Sequence, residues 1–86
     1  MTFYYTFGID WQFPYQGGWV EVIADNWDEA FSKFNNRFPL RSYMRTISNN
    51  NIPVSNCAFY YTEEDFKKTS MFKEGNMGAM CHEVIS

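Results

Sequence analysis

Trp19-Val20-Glu21-Val22-Ile23-Ala24-Asp25-Asn26-Trp27 changes its hydrophobic period within nine residues, and that change decides the fold. Up to Ala24, β-branched and apolar residues alternate with others, the period-2 pattern of a strand with one buried face. Asp25 or Asn26 then caps a helix, because each has an acid three residues on, Asp28 or Glu29, able to reach back as in a capping box. Trp27, Phe31, Phe34 and Phe38 follow at spacings of four, three and four, which places them on one helical face. The pattern predicts a strand over 19–24 and a helix over 26–37. Pro39 ends that helix, since its ring clashes with the carbonyl four residues back.

Toward the N-terminus, Phe3, Tyr5 and Phe7 alternate with Thr2, Tyr4 and Thr6, so a first strand over 2–7 should pair antiparallel with 19–24. The connection over 8–18 mixes Gly8, Pro14, Gly17 and Gly18 with Ile9, Trp11, Phe13 and Tyr15 and reads as irregular. Toward the C-terminus, Leu40, Tyr43, Met44 and Ile47 fit a short helix over 40–47, with a strand as the competing reading, and 48–53 is a loop by composition. A strand over 56–61, a helix over 63–70 opened by Thr62 and Asp65, a turn at Gly75-Asn76-Met77-Gly78 and a strand over 79–85 complete the chain. The order β-β-α-(α)-β-α-β predicts a single α+β domain over 1–86, with about four strands in a small, mainly antiparallel sheet and helices packed on one face.

A chain of 86 residues has a thin core unless it is dense. Nine Phe, six Tyr and three Trp supply that density. The net charge of −3 is unevenly spread: residues 1–32 carry five acids and no base, 33–62 four bases and no acid, 63–86 five acids and three lysines. Two cysteines are too few for a disulfide scaffold, and no basic leader or long apolar run directs the chain out of a cytosol or into a membrane.

Cys81-His82-Glu83, with Cys57 on a neighbouring strand, is the one cluster of chemically capable side chains. Alternation along a strand should put Cys81 and Glu83 on one side and His82 on the other, which suits neither a zinc site nor a Cys–His nucleophile pair. The glycine pairs match no phosphate-binding loop. The expectation is a protein with no catalytic residue, no metal and no cofactor. Lys33, Arg37, Arg41 and Arg45 recur at four-residue steps and would form a basic stripe if two helices stacked, although four charges fall short of a committed DNA binder. The aromatic connection, with Trp11, Phe13, Tyr15 and Trp19, either folds over the core as a lid or faces a partner. Trp11, Phe13, Tyr15, Trp19, Arg37, Arg41 and Arg45 are therefore the candidate binding residues.

Phe3-Tyr4-Tyr5-Thr6-Phe7-Gly8, Gly17-Gly18-Trp19-Val20-Glu21-Val22, Asn56-Cys57 to Tyr61-Thr62-Glu63-Glu64 and Gly75 to Ile85 together resemble a group of small proteins of phages, prophages and mobile elements of gut bacteria and Firmicutes. Arg41 to Pro53 falls outside the shared pattern. The group has no agreed catalytic residues, so the resemblance implies a setting, the bacterial host cytoplasm, rather than an activity. By analogy it implies an accessory protein that inhibits a host defence component by protein contact, a CRISPR effector foremost. The alternative is a sponge for a nucleotide signal, in which Trp11, Tyr15 and Trp19 stack on a base while Arg37 or Arg41 meets phosphate, in a pocket that a homodimer would complete.

Overall fold

A computed structural model describes residues 1–9, 13–39, 44–47, 50–53, 56–73 and 80–86, with backbone only at 44–47, 50–53, 71 and 73. The alternation around Tyr5 and Val20 produces strands β1 (Thr2–Thr6) and β2 (Trp19–Ile23), paired antiparallel with Tyr5 opposite Val20. Phe3, Tyr5, Val20 and Val22 point to one face and are buried, while Tyr4, Thr6, Trp19 and Glu21 point to the other.

Helix α1 (Trp27–Arg37) covers the first face. Asn26 is its N-cap, accepting from the Glu29 N–H at 2.9 Å, while the Glu29 carboxylate accepts from the Asp25 N–H at 3.1 Å. The two acids suspected of reaching back thus resolve into one cap. Ala30 and Phe34 are buried under the helix, and the Phe34 ring stacks on Tyr5 at 4.2 Å. Phe38 closes the helix by donating its N–H to the Phe34 carbonyl at 2.8 Å, one residue before Pro39.

β5 (Phe59–Thr62) adds to the free side of β1, antiparallel, and β6 (Cys81–Ile85) adds to β2, parallel, giving the order β5-β1-β2-β6. The α+β class therefore holds, with a mixed sheet in which two of the three pairings are antiparallel. The helices do not share one face. Phe66, on α2 (Glu63–Lys67), stacks on Tyr4 at 4.2 Å and tilts against Trp19 at 5.2 Å, so this helix covers the face opposite α1. Alternation in β1 makes both faces aromatic, and each needs its own cover.

Two local expectations are corrected. The predicted helix over 63–70 divides into α2 and α3 (Ser70–Lys73), because the Thr69 hydroxyl donates back to the Phe66 carbonyl at 2.7 Å and accepts from the Phe72 N–H at 3.4 Å. The second helix predicted over 40–47 is replaced across Met44–Ile47 by strand β3, which pairs antiparallel with β4 (Asn50–Pro53), within the predicted loop. An isolated helix of that length is marginal in water, whereas two residues between strands is the commonest hairpin length.

Tyr5 is fully buried, yet its hydroxyl has no hydrogen-bond partner among the described residues. Burial pushes its pKa above the usual tyrosine value, so the group stays protonated. An unsatisfied buried hydroxyl costs about 1–3 kcal/mol, so Tyr5→Phe should raise stability by about 1 kcal/mol or more, read as a higher thermal midpoint. A lower midpoint would show that the hydroxyl has a partner.

Candidate functional site

The connection from β1 to β2 is held at both ends by backbone bonds, Phe7 N–H to Gly18 O and Gly17 N–H to Gly8 O, each at 3.2 Å. Between them, Phe13 lays its ring over Gly8 and Tyr15 packs edge-on against Phe7 and Phe38, so both are half-buried against the core. Gly18 is buried in the left-handed region at φ +75, and the carbonyl of Met80 and the ring of His82 occupy the space that a β-carbon would need. A side chain there would collide with both.

This close approach coincides with an irregular register: Trp19 lies opposite Cys81, but Val20 lies opposite Glu83. The extra residue is a β-bulge, and it re-aims a side chain. His82 stacks on Tyr15 at 4.1 Å with the rings 7° from parallel, and Glu83 accepts a 2.6 Å hydrogen bond from the Tyr15 hydroxyl. The expectation that His82 faces away from Glu83 is thus corrected, because simple alternation fails at a bulge. Cys81 is the residue that faces away, toward Glu21 on the α2 side.

Arg37, the last residue of α1, completes the cluster. Its Nε and Nη2 grip the two Glu83 carboxylate oxygens at 2.9 and 3.0 Å, and its guanidinium lies over the Phe38 ring at 4.6 Å. His82 Nε2 lies 2.7 Å from the Gly17 carbonyl, which can only accept, so this nitrogen carries a hydrogen. Tyr15, Arg37, His82 and Glu83 therefore tie the aromatic connection, the end of α1 and β6 together.

The electrostatics are those of a fastening. The Tyr15 hydroxyl and then Arg37 hold the Glu83 carboxyl below its usual value, and the bond to Glu83 raises Tyr15. Both shifts move away from neutrality, whereas general acid–base work favours a pKa near the working pH. Burial, then the Glu21 carboxylate, pushes the Cys81 thiol up to about 11, leaving little thiolate. Cys57 lies in the core with Tyr5, on the other face from Cys81. Among the described residues no three His, Cys, Asp or Glu groups converge as metal ligands.

Because the folded carboxyl of Glu83 titrates below an unfolded one, its stabilisation is complete above the unfolded value of about 4.5 and is lost as pH falls through the folded value. Wild type should lose thermal stability more steeply than Glu83→Gln below about pH 4.5. Parallel curves for the two proteins would show that the tie contributes nothing.

The remaining candidate residues scatter. Trp19 lies on the α2 side, its indole N–H donating to Glu21 at 3.1 Å, so Tyr15 and Trp19 cannot stack on one base. Arg37 is committed to Glu83. Lys33 binds Glu29 at 3.0 Å and donates to the Ile23 carbonyl at 2.8 Å. Arg45 lies on β3, not on a helix continuous with α1, so the helical basic stripe does not form. Trp11 and Arg41 lie outside the described residues. Glu83 and His82 were missed as partners of Tyr15 because a bulge leaves no mark in the residue pattern.

Around this fastening the chain exposes apolar side chains. Ile9, next to Gly8, is 92% exposed, and Met80, whose carbonyl accepts from the Trp19 N–H, is 55% exposed. Both sit at the end of the sheet that carries the aromatic connection, along with exposed Pro14 and Ala58. Among the described residues no helix is long and apolar enough to cross a membrane. No protein-family model, curated protein or solved structure matches the chain.

Proposed function

We propose that this chain is a non-enzymatic binding protein of a phage or mobile element that works in the host cytoplasm by protein contact, inhibiting a bacterial defence component, a CRISPR effector foremost. One observation carries the contact: Ile9 and Met80, large apolar side chains, stand out from the sheet end whose connection is fastened by Tyr15, Arg37 and Glu83. Apolar anchors on a rigid support bind at low ordering cost. The half-buried Phe13 and Tyr15 act here as the support rather than as the contact. The phage-like residue pattern supplies the defence setting.

Affinity capture from a host lysate tests the reading. Wild type should recover a defence component that the Ile9→Asp/Met80→Asp double variant, with an unchanged melting midpoint, does not. Recovery of no defence component, or equal recovery by both proteins, would overturn it.

A further inference from the structure

We infer that β5 is the seam of a symmetric dimer, in which the outer edge of this strand pairs antiparallel with β5 of a second copy. Among the described residues β5 lies at the margin of the four-stranded sheet with β1 as its one neighbour, so its other edge presents backbone donors and acceptors to a strand. Edge strands are ordinarily blunted by lysine, proline, a bulge or an inward charge. β6, the other margin, carries a bulge and the Glu83 charge. β5 is short, at four residues, but it carries no lysine, proline, bulge or charge, and Asn56–Thr62 holds no charged residue at all.

The same neutrality selects the occupant. Two copies of a chain with net charge −3 repel over most of their surfaces, and this uncharged edge is where they can approach without opposing like charges. A two-fold axis normal to the sheet keeps α1 of both copies on one side. It can place Tyr60 opposite Tyr60 of the second copy, and then Phe59 opposite Tyr61. Phe59 and Tyr60 are 65% and 52% exposed, so the pairing covers aromatic surface on both faces. One strand per copy is a small interface, which points to weak, reversible association, with Kd on the order of 1–100 µM. The sheet end bearing Ile9 and Met80 projects along the strands, so a dimer would present that surface twice.

Sedimentation of the full chain across that concentration range tests the seam. Wild type should pass from monomer to dimer, with amide exchange at 59–62 slowing as concentration rises. Tyr60→Lys sets two like charges face to face, and Phe59→Lys charges the edge at a side chain that does not touch α1. Both variants should remain monomeric with native circular dichroism, and the second decides the matter if the first fails to fold. Ile9→Asp/Met80→Asp should still dimerise, which separates this inference from the proposed function. A wild type that stays monomeric, or a dimer that survives Phe59→Lys, would overturn the seam.

Discussion

Gly18→Ala should lower the thermal midpoint by roughly 12–24 °C, which at about 4–8 °C per kcal/mol for a domain of this size is a loss of about 3 kcal/mol. Two causes combine. Gly18 sits at φ +75, where a residue with a β-carbon loses about 1–2 kcal/mol. The new carbon would also lie 2.5 Å from the Met80 carbonyl oxygen and 2.9 Å from His82 Cδ2. Met80 directly precedes β6 and its carbonyl is held by the Trp19 N–H, so the start of β6 must move, and the His82–Tyr15 stack moves with it. Gly17→Ala is the control, because Gly17 also has positive φ, +84, but open space around it. Its variant should lose only the conformational part, about 1–2 kcal/mol. Equal losses at the two positions would remove the close packing of β6 on Gly18 from the account.

Phe66→Ala should cost about 3–5 kcal/mol, the range for emptying a buried aromatic site. Phe66 is 1% exposed and lies among Tyr4, Trp19, Tyr61 and Phe72. The two helices it serves have five and four residues, too short to persist without an anchor. Amide protection at Lys68 and Thr69, which donate to carbonyls three residues back, should vanish before that of α1. A loss below about 1 kcal/mol would mean that α2 is not what seals this face.

Local patterns revealed the parts of this fold that local physics determines. Alternation over 2–7 and 19–24, a cap at Asp25 or Asn26 and the Trp27–Phe31–Phe34–Phe38 face were legible, because each depends on neighbours within four residues; the structure trims each strand by one residue and uses Asn26. The second aromatic face was not recognised: Tyr4 and Phe66 are as aromatic as Phe3 and Phe34, but only the assembled sheet shows that they need a separate helix. The parallel pairing of β6 was equally hidden, since a strand five residues long does not announce its partner. Met44–Ile47 misled in the other direction, its spacing fitting a helix and a strand alike. At the candidate site, Tyr15 and Arg37 were singled out for a ligand, and the structure joins them to Glu83 instead. A bulge, visible only in the register, makes that meeting.

Action on a defence component through the apolar end of the sheet is the function proposed for this chain. Phage challenge of CRISPR-proficient cells tests it most directly, comparing plaque counts on cells expressing wild type, Ile9→Asp/Met80→Asp or nothing. Wild type should restore plaques in a strain whose effector it binds, and the folded double variant should not. Plaque counts that remain unchanged by wild type in every interfering strain, or that the double variant restores equally, would contradict it.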